Sequence, residues 1–142
     1  MLKQGIAVEK KLRVLIIDDA PANIKLLGQA LKDCYQVIVA NNGASGLKIC
    51  TSENPPDLIL LDINMPEMDG YEVCQRLKSE EATRQIPVIF LTANDTPGEE
   101  EKGLGYGAVD FITKPFSIPL VMTRVDAHLR NSLLTGLFRQ IK

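Results

Sequence analysis

The sequence carries no run of basic residues and a formal net charge of only −2, so it lacks the electrostatic footprint of a nucleic-acid-binding chain. No apolar stretch is long enough to cross a bilayer, and the first residues lack the apolar core of a signal peptide. The expectation is a soluble cytoplasmic protein with no membrane contact. Cysteine is sparse and odd in number: Cys34, Cys50 and Cys74 are too far apart for a metal-ligand pattern or a disulfide framework. Each sits among helix or strand residues and reads as a small buried side chain. There is no internal repeat, no low-complexity tract, and no Walker-A or Gly-x-Gly-x-x-Gly pattern. What remains is 142 residues with an ordinary apolar share of 45%, enough for one domain with a sizeable core.

The most informative stretch is 57–70. Leu58 to Leu61 are four consecutive apolar residues, with Pro55-Pro56 before them and Asn64, Pro66 and Gly70 after. A short apolar run framed by loop formers reads as a strand buried on both faces, as in a parallel sheet. Asp62 stands where it ends. Alone, such an Asp is either a turn or cap residue or a reactive carboxylate.

The rest of the chain repeats this grammar. Strands are expected at 12–17, 35–40, 57–62, 86–91 and 108–113. Helices are expected from Pro21 onward, at 44–51, at 70–79 capped by Asp69, at 97–105, and from a Ser117 cap toward the C-terminus. The fourth helix reads as a poor one, because Gly103, Gly105 and Gly107 would each cost about 1 kcal/mol against Ala if held in helix. Five strands alternating with helices predict an α/β fold with a doubly wound parallel sheet and helices on both faces. The right-handed crossover rule limits the topologies to a few, and of these the flavodoxin-like strand order 2-1-3-4-5 is the one expected; it places strands 1 and 3 together at the switch point.

That order gathers Asp18 and Asp19 from strand 1, Asp62 from strand 3, Thr92 from strand 4 and Lys114 from strand 5 at one sheet edge. Three carboxylates in one cleft repel each other and call for a cation. Hard oxygen ligands with room for water suit Mg²⁺. An Asp nucleophile, a metal, and Thr92 and Lys114 as donors to a phosphoryl group are the parts phosphoryl transfer needs. Two other readings were weighed. A flavin or nucleotide carrier would need phosphate donors after strand 1, where Asp18 and Asp19 stand. A Mg²⁺-dependent phosphohydrolase would need a second acid, which Asn64 does not supply.

These motifs, Leu15-Ile16-Ile17-Asp18-Asp19, Leu60-Leu61-Asp62-Ile63-Asn64-Met65-Pro66 with Asp69-Gly70, Leu91-Thr92-Ala93 and Phe111-Ile112-Thr113-Lys114-Pro115-Phe116, resemble those of the receiver domain of bacterial two-component response regulators over residues 12–130. The resemblance implies a phosphorylation-dependent switch and not an enzyme acting on a separate substrate. Asp62 would accept a phosphoryl group from a sensor histidine kinase or phosphotransfer protein. Asp19, Asp62 and the backbone carbonyl of Asn64 would bind Mg²⁺ directly, and Asp18 through water. Thr92 and Lys114 would contact the phosphoryl group, Thr92 and Phe111 would form the switch, and Ala93 would leave room at the site. Lys114-Pro115 would be a cis peptide. Gly105-Tyr106 departs from the Glu-Ala often found there.

The division expected is an N-terminal tail at 1–11, the receiver domain at 12–130, and a helical extension or linker at 131–142 toward an output domain. In that extension Leu133, Leu134, Leu137, Phe138 and Ile141 continue an apolar stripe, with Gly136 in its middle. A stripe left uncovered favours a homodimer through the last helix and the face formed by the fourth helix and fifth strand.

Overall fold

The computed structural model describes residues 11–93 and 96–141, the side chains of 137–141 excepted. The elements alternate as β1 (Arg13–Ile17), α1 (Pro21–Leu31), β2 (Gln36–Ala40), α2 (Gly43–Cys50), β3 (Leu58–Asp62), α3 (Gly70–Ser79), β4 (Val88–Thr92), α4 (Pro97–Gly105), β5 (Asp110–Thr113) and α5 (Ile118–Ile141). All strand pairs are parallel, in the order β2-β1-β3-β4-β5. This is the doubly wound sheet the alternating pattern predicts. The tail expected at 1–11 lies outside the described residues apart from Lys11.

The apolar runs explain the layering. Every residue of β3 and β4 is buried, because helices cover both faces. Side chains alternate between two cores. Leu15, Ile17, Ile59, Leu61, Val88, Phe90 and Phe111 face α2, α3 and α4, meeting Cys50, Val73, Cys74 and Leu77. Val14, Ile16, Leu58, Leu60, Ile89, Leu91 and Ile112 face α1 and α5, meeting Leu27, Leu31, Val121, Val125 and Leu129. Fully burying each such aliphatic side chain contributes about 1.5–3 kcal/mol, before chain entropy is set against it.

The element ends shift by one or two residues for local reasons. Asn42, part of an expected turn, caps α2 by accepting the Ser45 N–H at 2.8 Å, so that helix starts at Gly43. The Tyr35 N–H closes the end of α1 on the Leu31 carbonyl, leaving β2 to begin at Gln36. Pro87 has no N–H for the ladder, and β4 begins after it. The Ala108 N–H bonds back to the Gly103 carbonyl, so β5 starts at Asp110. Asp69 caps α3 as expected, accepting the Glu72 N–H at 2.9 Å.

Cysteine burial holds for two of three. Cys50 and Cys74 are buried, and burial pushes their thiols up to about 12 and about 11. Cys34 is exposed, because it falls in the turn after α1 rather than on a packed face.

Helix α5 runs as one unbroken helix through Gly136. It is clasped to β5 by Asp110, whose carboxylate accepts from Arg124 and pairs with His128 Nε2 at 2.8 Å. Beyond the domain body, Leu133 and Leu134 are exposed. The side chains of Leu137, Phe138 and Ile141, which complete the expected stripe, lie outside the described residues.

The glycines of α4 have three different roles. A Cβ on Gly103 would lie 2.4 Å from Phe111 Cζ and 2.9 Å from Phe90 Cδ2, so this glycine is a packing requirement. Gly107, at φ 103°, lies just past the helix in the left-handed conformation that ends it. Gly105 faces open space. Gly103→Ala is therefore expected to lower the unfolding free energy by about 1–3 kcal/mol through overpacking. Gly105→Ala is expected to raise it by about 0.5–1 kcal/mol. Urea denaturation of the two variants checks the opposite signs.

Candidate functional site

Three strands deliver the charged groups to one end of the sheet. Asp18 directly follows β1 and is fully buried. Its Oδ1 accepts the Ala20 N–H at 2.9 Å and its Oδ2 accepts from Asn23 Nδ2 at 3.1 Å. The first turn of α1 thus orients this carboxylate. Asp19 is exposed, as a residue at the mouth of a cleft should be. Asp62 is the last residue of β3 and only 2% exposed. One carboxylate oxygen from each of the three lies within 4.8 Å of the others.

Lys114 directly follows β5 and is joined to Pro115 by a cis peptide. Its Nζ donates to Asp62 Oδ1 at 2.9 Å and stands 4.0 Å from Asp18 Oδ2. One ammonium therefore faces two buried carboxylates. Burial pushes the Asp62 carboxyl above the usual carboxylate range, and the Asp18 charge adds to that. The Lys114 ammonium and the Asn64 N–H pull the other way. The cleft is thus short of positive charge, and its donors are all carboxylate oxygens. Such a donor set fits a small hard divalent cation.

Thr92 ends β4 and is 2% exposed. Register pairs Phe90 with Phe111 and Thr92 with Thr113, so all four project to the α3–α4 side of the sheet. Thr92 forms the top of that column, next to the carboxylate edge. Phe111 lies one layer deeper, its ring centroid 5.9 Å from that of Phe90, and does not join the acidic cluster. Asn64 is exposed on the loop after β3, beside Asp62. Ala93 is exposed next to Thr92.

Sequence reasoning missed two residues of this site. Asn23 holds Asp18, and its position in the first turn after Asp18 is the only sequence signal for that role. Gly70 is the other. Its N–H donates to the Ile63 carbonyl at 2.8 Å, and a Cβ there would lie 2.4 Å from the Asp62 carbonyl oxygen. The first turn of α3 therefore abuts the backbone of Asp62 itself.

Parallel order 2-1-3-4-5 with three carboxylates and a lysine at its carboxyl edge defines a class, and the comparisons agree. The chain belongs to the response regulator receiver domain family, whose model matches residues 14–126. It is 48% identical over 118 residues to a Vibrio cholerae protein named "Probable cyclic di-GMP phosphodiesterase", covering 83% of this chain and 26% of that one. It is 41% identical over 129 residues to the response regulator PleD of Caulobacter vibrioides, covering 90% and 28% respectively. The chain thus spans little more than a quarter of the length of these relatives. Among solved structures, the signal receiver domain of a signal transduction histidine kinase from Syntrophus aciditrophicus superposes with a TM-score of 0.76 at 37% identity. That match covers 84% of this chain and 90% of the other. The receiver domain of a sensor histidine kinase from Pseudomonas aeruginosa PAO1, solved with a magnesium ion in its active-site cleft, superposes with a TM-score of 0.77 at 27% identity. It covers 84% of this chain and 98% of the other. No helix among the described residues is long and apolar enough to cross a membrane.

If the carboxylates hold Mg²⁺, the ion binds the folded state alone and stabilises it by mass action, by about 1.4 kcal/mol at a tenfold excess over Kd. The melting temperature should rise with millimolar Mg²⁺ in the wild type and much less in Asp19→Ala. Calorimetry of both proteins with Mg²⁺ and with EDTA checks this.

Proposed function

We propose that this chain is a phosphorylation-dependent switch of a two-component system in which Asp62 accepts a phosphoryl group from a sensor histidine kinase or a phosphotransfer protein. The observation that carries the reading is the Asp62–Lys114 ion pair, 2.9 Å long, beside Asp18 and Asp19 at the carboxyl edge of the sheet. An Asp62 carboxylate oxygen attacks phosphorus, and the bond from phosphorus to the donor's imidazole nitrogen breaks. The product is an aspartyl phosphate.

Mg²⁺, held by Asp19, Asp62 and the Asn64 carbonyl with Asp18 acting through water, would supply the positive charge that the phosphoryl oxygens need. Lys114 opposes the effect of burial on the Asp62 carboxyl before transfer and is placed to take a phosphoryl oxygen afterward. Thr92, at the adjoining strand end, can donate its hydroxyl to another. Asn23 and the Ala20 N–H keep Asp18 in one orientation throughout. The reaction is the chain's own modification and its reversal, not turnover of a separate substrate.

For the relay, the Phe111 ring is already inside, packed under Gly103 and 9% exposed. We read Thr92 and Phe111 as the switch, with Phe111 as the seat of α4 and α4 as the element that shifts with them on phosphorylation. The apolar residues Leu104, Val109 and Leu120, exposed on α4, beside β5 and on α5, favour a homodimer through that face. Exposed Leu133 and Leu134 extend it along α5, with 131–142 leading toward an output domain. The response regulator PleD and the Vibrio protein support such an arrangement, since each is several times longer than the matched region.

Incubation with acetyl phosphate and Mg²⁺ is expected to add one phosphoryl group, read as a single mass increment on the intact chain. Asp62→Asn keeps the shape and removes the nucleophile, so the increment should vanish. Labelling of that variant at the wild-type rate would refute the assignment.

A further inference from the structure

Among the five helices, α4 alone makes no extended close approach of its backbone to a neighbouring element among the described residues. Side chains must seat it. Part of the seat is Phe111, which fills the space left by Gly103. The other part is Tyr71, the second residue of α3, which is 7% exposed.

Three residues of α4 and its cap close on this one ring. The Tyr71 hydroxyl donates to Glu99 Oε1. Lys102 Nζ lies over the ring, 4.4 Å from its centroid. The Tyr106 ring centroid is 5.1 Å away. Glu99, Lys102 and Tyr106 are three and four residues apart, so they form one face of the helix. Burial, and then the Glu99 carboxylate, hold the Tyr71 phenol well above its ordinary range, so it remains a donor at neutral pH. A neutral hydroxyl donating to a carboxylate makes a charge-assisted bond, stronger and more directional than ring packing.

The same residue stands at the phosphorylation loop. Its predecessor Gly70 packs against the Asp62 carbonyl and donates to Ile63. Tyr71 therefore stands between the two: its chain neighbour Gly70 lies against the backbone of Asp62, and its own side chain meets the face of α4.

We propose that Tyr71 is a positioning residue that couples Asp62 to α4, the hydroxyl bond to Glu99 being the link that carries a change at the phosphorylation loop to the helix. Phe111 supplies the seat beneath α4, and Tyr71 supplies the tie at its N-terminal half. This inference rests on the reading of Asp62 as the phosphoacceptor. The test measures the coupling itself.

Hydrogen exchange of residues 97–106 is followed in the full chain with and without beryllofluoride and Mg²⁺, and labelling by acetyl phosphate is measured in parallel. In the wild type the phosphate mimic should change exchange across this stretch at least threefold. In Tyr71→Phe that response should fall by half or more, while the labelling rate stays within twofold of wild type. Glu99→Ala should show the same loss, Glu99→Gln, which keeps the acceptor oxygen, should restore the response, and Tyr71→Phe with Glu99→Ala should lose no more than either alone. A wild-type response in Tyr71→Phe, or additive losses in the double variant, would overturn the coupling. If Tyr71→Phe does not fold, the Glu99 pair decides by the same criteria. Failure of the wild type to label would overturn the phosphoacceptor reading instead, and is read in a separate assay.

Discussion

The structure turns on an imbalance of charge. Two carboxylates, Asp18 and Asp62, are buried at adjoining strand ends with a third, Asp19, at the mouth, and one ammonium, Lys114, faces them. Removing a charge from water costs several kcal/mol even after relaxation, and a single lysine shared between two acids offsets only part of that. The fold tolerates the cost because strands β1, β3 and β4 are anchored by apolar side chains on both faces. Their ends can then be held where charge repels charge. On the proposed function, a site in this condition gains from a divalent ion and gains again when a phosphoryl group gives Lys114 a second acceptor. Burial raises the protonation range of Asp62, and the Asp18 charge adds to that.

The surrounding structure limits how that imbalance can be relieved. Asn23 and the first turn of α1 hold Asp18, so it cannot swing away. Gly70 brings the start of α3 against the Asp62 backbone, leaving no slack between that strand end and α3. Thr92, Phe90, Phe111 and Thr113 share one face by register, so a change at the edge meets a packed column beneath it. Helix α4 caps that column and is seated by side chains. On the proposed function it is the element that moves while the sheet stays fixed.

Most of the sheet and its acidic edge were legible in the sequence because they depend on local signals. A run such as Leu58 to Leu61, framed by loop formers, reads as a strand buried on both sides, and the residue that ends it marks the sheet edge. The motifs around Asp18, Asp62, Thr92 and Lys114 then place the charges. What could not be read depends on contacts distant in sequence. The Tyr71 hydroxyl meets Glu99 across 28 residues, and no periodicity anticipates that. Gly103 was misjudged for a related reason. Helix propensity counts any glycine as a weakness, whereas this one exists to admit a ring from β5. Cys34 reads as a small buried side chain among helix or strand residues, yet it falls in the turn between α1 and β2.

On the proposed function, the four strand ends form one phosphoryl pocket whose charge is completed by a cation and Lys114. Fluorine magnetic resonance of beryllofluoride, which mimics the phosphoryl group, probes that pocket. Bound fluorine signals are expected in the wild type only when Mg²⁺ is present, and their loss is expected in Lys114→Ala with Mg²⁺ still in excess. Bound signals that are indifferent to Mg²⁺, or that persist unchanged in Lys114→Ala, would contradict that assignment.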